Sequence, residues 1–127
     1  MASCCIAMSA MSRSIKVKRI YEPFSPRDGY RILVDRLWPR GISKANAHVD
    51  VWLRAISPSD ALRKWYNHDP AKWNAFRKKY YSEIKGSDAL NELQKQLSQH
   101  ATVTFLFSSK EEQRNNAVAL KEIATGL

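Results

Sequence analysis

Apolar and basic side chains alternate early in the chain, Ile15 and Val17 against Lys16 and Lys18. A period of two predicts a strand over residues 15–21 with one face in water. Residues 30–34 end in Ile32, Leu33 and Val34, an unbroken apolar run that predicts a second strand covered on both faces and therefore central. A third strand is expected over 48–53, where Val49, Val51 and Leu53 alternate with His48, Asp50 and Trp52. The sharpest strand pattern is Thr-Val-Thr-Phe-Leu-Phe at 102–107.

Helical spacing and capping residues fill the intervals. Ser43 is placed to cap a short helix over 43–47. Ser57-Pro58-Ser59-Asp60 reads as a helix start with Ser57 at the cap and Pro58 in the first turn, after which Leu62, Trp65 and Tyr66 share a face. Asp69-Pro70 repeats the device, and Trp73, Phe76, Tyr80 and Ile84 follow at spacings of three and four before Gly86 stops the helix. Leu90, Leu93 and Leu97 mark a further short helix. Ser108-Ser109-Lys110-Glu111-Glu112 has the form of a capping box, opening a last helix carried by Ala117, Val118, Leu120, Ile123 and Ala124. Pro23 and Pro26 make 22–28 a loop, and Trp38-Pro39-Arg40-Gly41 is irregular. Strands separated by helices predict an α/β fold: one compact domain with a mostly parallel sheet of about four strands flanked by helices.

Composition narrows the chemistry. The 127 residues are 44% hydrophobic and 26% charged, enough for a core without staples. No apolar run approaches the roughly 18 residues that span a bilayer, so no membrane partner is expected. Residues 1–11 hold both cysteines and all three methionines and no charge. We expect a flexible leader over 1–14, with Met11 an alternative initiator, and the domain over 15–127. A secretory signal would carry a basic start and a longer apolar segment, so a cytoplasmic setting is expected. The domain itself has no thiol, which excludes cysteine nucleophiles and thiolate metal sites within it. The net charge of +9 favours acidic partners such as phosphorylated metabolites, nucleotides or nucleic acid, although many soluble proteins are basic without a specific partner.

Two predicted strands end in polar clusters. Val34 runs into Asp35 and Arg36, with Arg40 beyond, and Phe107 runs into Ser108, Ser109 and Lys110. Ligands of α/β proteins sit outside the carboxyl ends of strands. If these strands are parallel neighbours, Asp35, Arg36, Arg40, Ser108, Ser109, Lys110, Arg114 and Asn115 face one cleft. Arginine forks suit phosphate or carboxylate, the expected helix start after Phe107 favours an anion, and Asp35 would orient an arginine or act as a base. The structural reading makes Asp35 with Arg36 or Arg40 an ion pair pinning the loop, and Ser109 only a cap.

Other candidates are fewer. Trp38 lies between Arg36 and Arg40, where an aromatic ring could stack on a base; Trp52, Trp65 and Trp73 read as core, and the basic residues Lys72, Arg77, Lys78, Lys79 and Lys85 as a solvated helix face. His48, His68 and His100 have no ligand spacing, so no metal is expected. There is no Walker loop, no dinucleotide fingerprint and no nucleophile elbow, and four glycines are too few to cradle a dinucleotide, so no cofactor is expected.

At these residues the chain closely resembles a known family. Gly29-Tyr-Arg-Ile-Leu-Val-Asp-Arg-Leu-Trp-Pro-Arg-Gly41 is similar to the signature of the YeaO-like proteins, a bacterial family. Trp52-Leu-Arg-Ala-Ile-Ser-Pro-Ser59 resembles its second motif and Arg63-Lys-Trp-Tyr-Asn-His-Asp-Pro70 its third. Phe107-Ser-Ser-Lys-Glu-Glu-Gln-Arg-Asn-Asn-Ala-Val118 resembles the last. The resemblance implies a compact α/β domain and implies no activity. The family commonly carries a histidine where this chain has Arg114. An arginine cannot serve as general base or metal ligand in its place, whereas an anion-binding role survives the change. The expectation is therefore an anionic small molecule in the cleft, the alternative being a nucleic-acid-binding module without catalysis.

Overall fold

A computed structural model describes residues 14–126. The expected leader, with Cys4, Cys5 and Met11, lies outside the described residues, as does Leu127. Four strands, β1 (Ser14–Arg19), β2 (Tyr30–Leu33), β3 (Val51–Trp52) and β4 (Thr102–Phe107), form one sheet in the order β1-β4-β2-β3. Every neighbouring pair is parallel. The helices are α1 (Lys44–Ala47), α2 (Asp60–Tyr66), α3 (Trp73–Ile84), α4 (Asp88–Gln99) and α5 (Asn116–Thr125), joined in part by short 3-10 turns. This is the single α/β domain that the alternating pattern predicts.

Side chains alternate across a strand, so adjacent residues of β2 and β4 enter different cores. Ile32, Val34, Val103, Phe105 and Phe107 point to one face, where Tyr66, Phe76, Tyr80, Leu93 and Leu97 from the helices pack on them. Leu33 and Leu106 point to the other, against Ile20 and Ala47, with Trp38, Ile42, Val49 and Trp52 packed around. That second face is covered mainly by connecting segments, since the β1–β2 crossover has no helix longer than the 3-10 turn Pro26–Asp28. Gly29 makes this tight return feasible. Its φ is +68°, and a Cβ there would stand 2.3 Å from the Thr102 carbonyl oxygen.

Several local expectations are corrected by long-range partners. Ser59 rather than Ser57 caps α2, accepting from the Leu62 N–H at 3.1 Å. Ser57 is already used, its hydroxyl donating to the Arg54 carbonyl at 2.6 Å, while Glu83 from α3 accepts from the N–H and hydroxyl of Ser59. The expected helix start at Ser108–Glu112 is a loop instead. Ser109 Oγ accepts from the Glu111 N–H, and the Glu111 carboxylate accepts from the N–H groups of Gln113 and Arg114. Asn115 is the true cap of α5, accepting from the Val118 N–H at 2.9 Å. The third strand shortens to Val51–Trp52 because His48 closes α1 in the left-handed region, with φ +52°. Trp65 does not join Leu62 and Tyr66 in the core; it is 38% exposed.

Candidate functional site

The parallel pairing of β2 and β4 brings their carboxyl ends together, as the cleft requires. Asp35, the second residue past β2, accepts from both the N–H and the hydroxyl of Ser108 at 2.9 and 2.8 Å. Its other oxygen accepts from Asn116 Nδ2 at 3.1 Å, and the same amide donates to the Val34 carbonyl at 3.2 Å. The backbone is tied as well, with Trp52 Nε1 donating to the Asp35 carbonyl at 2.7 Å. Asp35 thus stitches the end of β2 to the end of β4 and to the first turn of α5. Among the described residues it pairs with no arginine.

Beside this stitch lies a cavity of about 490 Å³, within the range of small-molecule sites. Its inner wall includes Tyr66 and Phe76, stacked with ring centroids 4.3 Å apart. Arg36, Arg63, Lys64 and His68 stand on its lining, with Ser57, Ser108, Asn67 and Asn116 as neutral polar groups. Arg36 and Arg63 share one exposed carboxylate, Asp60, at 3.5 and 3.3 Å. Such exposed pairs are worth roughly 0–1 kcal/mol and are readily exchanged for another anion.

The segment that carries His68 is strained. Asn67 and His68 are consecutive non-glycine residues in the left-handed region, with φ +46° and +53°. Each costs on the order of 1–3 kcal/mol unless its surroundings compensate. Asp69 then restores order by capping the turn Pro70–Lys72 through the Ala71 N–H. The turn holds the Asn67 and His68 side chains at the cavity.

Titration of the lining follows from burial and neighbours. Burial raises the Tyr66 phenol above its ordinary value, and the nearby Glu111 charge adds to this; its hydroxyl donates to the Arg114 carbonyl at 2.7 Å. Glu111 is held below its ordinary value by the backbone N–H groups of Gln113 and Arg114. Burial likewise raises Tyr80 beneath the site, whose hydroxyl donates to the Ile56 carbonyl. These tyrosines are neutral packing groups with satisfied hydroxyls.

Of the residues expected at the cleft, Asp35, Arg36, Ser108, Ser109 and Asn115 line the cavity. Asn115 is buried and spent on structure, its amide donating to the Glu111 carbonyl at 2.8 Å while its oxygen caps α5. Arg40, Lys110 and Arg114 are not in the lining. Arg40 is exposed and offers its carbonyl to Tyr21 Oη at 2.6 Å. Trp38 packs with Trp52 in the core on the opposite face of the sheet, edge to face at 5.5 Å, and donates its indole N–H to the Ile42 carbonyl. The second wall, Arg63, Lys64, Asn67 and His68, was not anticipated. Its signal was present in the motif Arg63–Pro70, which reads locally as a helix and a cap. Among the described residues, no three His, Cys, Asp or Glu side chains converge in a way that would hold a metal ion, and no helix is long and apolar enough to cross a membrane.

Sheet topology and cleft together define a small parallel α/β protein with a cation-lined cavity at the carboxyl ends of its central strands. A family profile described as the inactive DUF488-N3 subclade matches residues 14–126. The uncharacterized protein YeaO of Escherichia coli K12 is 37% identical over 109 residues, covering 86% of this chain and 95% of that protein. The uncharacterized protein Rv3073c of Mycobacterium tuberculosis H37Rv is 38% identical over 112 residues, covering 88% of this chain and 94% of the relative. Mb3100c of Mycobacterium bovis matches to the same extent. No solved structure matches the chain. The chain belongs to this subclade, the YeaO-like proteins.

Proposed function

We propose that the cavity recognises a phosphorylated or nucleotide-like small molecule and binds it without turnover. One observation carries this reading. Arg36, Arg63 and Lys64 line the cavity with one lining carboxylate, Asp35, both of whose oxygens already accept hydrogen bonds, and the exposed Asp60 shared by the two arginines still leaves a positive charge over. The local balance is therefore cationic, and arginine forks suit phosphate oxygens. In this reading Arg63 and Lys64 take the role expected of Arg40 and Arg114. Asp35 serves chiefly as scaffold in this reading, with three of its roughly four acceptor sites taken by Ser108 and Asn116. The description of the family as inactive supports binding over catalysis. A cytoplasmic setting, where phosphorylated small molecules are abundant, fits the same reading.

Thermal-shift titration with nucleoside monophosphates, sugar phosphates and inorganic phosphate, at low and high salt, tests it. A ligand at 100 times its Kd stabilises the folded state by about 2.7 kcal/mol. The expected result is stabilisation by one such compound that persists in salt and is lost in Arg36→Ala and in Arg63→Ala/Lys64→Ala. Absence of any shift at low salt, or a shift unchanged in both variants, would overturn the proposal.

A further inference from the structure

The far side of α2 presents a second surface that the cavity does not use. Trp65 is exposed, and the ammonium groups of Lys72 and Lys79 stand 5.0 and 5.1 Å from its ring centroid. Lys72 also donates to the Trp65 carbonyl at 2.8 Å, an exposed bond. A shallow groove of about 450 Å³ runs beside the indole between α2 and α3, lined by Trp65, Lys78, Lys79, Ser59, Ser82 and Glu83. Its one carboxylate, Glu83, is held by the N–H and hydroxyl of Ser59. Among the described residues no carboxylate pairs with Lys72, Lys78 or Lys79. The groove is thus positive, has one exposed aromatic ring, and faces away from the cavity wall formed by neighbouring Arg63 and Lys64.

We infer that this groove binds single-stranded nucleic acid, with a base stacked on Trp65 and its flanking phosphates on Lys72, Lys78 and Lys79. Stacking on an exposed indole between lysines is how sequence-tolerant single-strand binders hold their bases. A duplex hides its base faces, and the Asp and Glu side chains of an acidic peptide have no flat ring to place on the indole. A membrane would need a wider apolar patch than one side chain. Lys72 and Lys79 now stand over the indole in cation–π contact, so a stacking base takes the ring face in their place and their flexible ammonium groups turn outward to its flanking phosphates, while the overall +9 charge draws the strand in. The inference is independent of the cavity's small-molecule ligand.

Fluorescence anisotropy of a labelled oligo(dT) of about 12 nucleotides, titrated with the full chain over a series of salt concentrations, tests it. Binding is expected at low salt, with log K falling by about 0.7 per phosphate contacted for each tenfold rise in salt. Trp65→Ala should weaken it at least about 5-fold, with Trp65→Phe restoring most of the loss. Lys78→Ala/Lys79→Ala should lower the salt slope by about 1.4, since two contacts are removed. These lysines are exposed, so the double variant remains informative even if Trp65→Ala fails to fold. The equally charged change Lys95→Ala/Lys121→Ala, on α4 and α5, and the cavity change Arg36→Ala should leave binding unaltered. No binding at low salt overturns the inference. So does inorganic polyphosphate binding as tightly as oligo(dT), which would show that charge alone suffices. An equal loss in Lys95→Ala/Lys121→Ala or in Arg36→Ala would also overturn it, placing the strand elsewhere.

Discussion

Strand β2 has a carboxylate before it and another after it, and the two ends of the strand use them in opposite ways. Before β2, Asp28 is buried and is met by two cations. Arg31 Nη1 donates to it, and Lys18 Nζ lies 3.0 Å away. Arg31 is itself only 2% exposed and spends its other donors on the carbonyls of His48 and Ala47, both at 2.9 Å. Thr104 Oγ1 donates to the Asp28 carbonyl at 2.7 Å, completing the network beneath the β1–β2 crossover. After β2, Asp35 is satisfied by a hydroxyl, an amide and a backbone N–H, all neutral. Its neighbouring arginine is left to the cavity. The contrast teaches that charge near a strand end does not by itself mark a site. Where opposite charges meet in burial they lock the fold; where neutral donors satisfy the carboxylate, the nearby arginines keep only an exposed partner, Asp60, that a ligand can replace.

The largest expected effect lies in the lock. Asp28→Ala leaves Arg31 buried without its counter-charge and should lower unfolding stability by about 3–5 kcal/mol in urea denaturation. A loss under about 1 kcal/mol would place the network among ordinary surface pairs and erase the contrast. Its acid response has a definite sign. Burial would raise the Asp28 pKa, but hydrogen bonds from Lys18, the Ser25 N–H and Arg31 hold it below the ordinary 3.8. A lowered folded pKa contributes stability that is complete above the unfolded value and is lost as pH falls through the lower folded one. Asp28→Asn should therefore flatten the fall in stability below pH 3.8, as followed by circular dichroism.

Next comes the turn beside the lock. Gly29→Ala should cost at least about 1–3 kcal/mol from backbone strain, with the overlap against the Thr102 carbonyl added to it. Thermal melts would show this directly. The same change at Gly41, also left-handed but with open space around it, should show the strain alone.

At the other end of β2, Asp35→Ala should cost about 1–3 kcal/mol by stranding the Ser108 N–H and the Asn116 amide. Asp35→Asn should recover part of that, because an amide oxygen still accepts. If Asp35→Asn instead matched the wild type in stability but abolished ligand binding, the carboxylate would belong to the site and not to the scaffold. The smallest effect is expected at the cavity rim. Arg36→Ala and Arg63→Ala should each change stability by less than about 1 kcal/mol, since among the described residues their one ionic partner is exposed Asp60 and Arg36 adds a single bond to the Pro58 carbonyl at 3.2 Å. A larger loss at either position would turn the rim into a second lock.

The sequence by itself determined the α/β class, the central position of β2 and the strand 102–107, and it set Asp35 and Ser108 at one edge on the condition that their strands are parallel neighbours. Each follows from short-range periodicity together with the tendency of parallel strands to open their carboxyl ends on one edge. Only the tertiary structure decided which charges are buried and which aromatic rings are exposed. Arg31 sits in an apolar run and counts locally as an interruption, yet Asp28, two carbonyls and the crossover above it make burial affordable. Trp38 and Trp65 exchange expected roles because a loop folds back over the far face of the sheet while α2 turns Leu62 and Tyr66 inward and leaves Trp65 beneath Lys72 and Lys79. Asn115 replaces the Ser108–Glu112 box as cap because Asp35, distant in sequence, claims Ser108, and Glu111 turns back on its own loop. The second wall of the cavity depends on two left-handed residues, Asn67 and His68, types that tolerate this conformation without dictating it. Periodicity and capping act within a turn or two of the chain, whereas burial and ion pairing are settled by partners brought together only when the sheet closes.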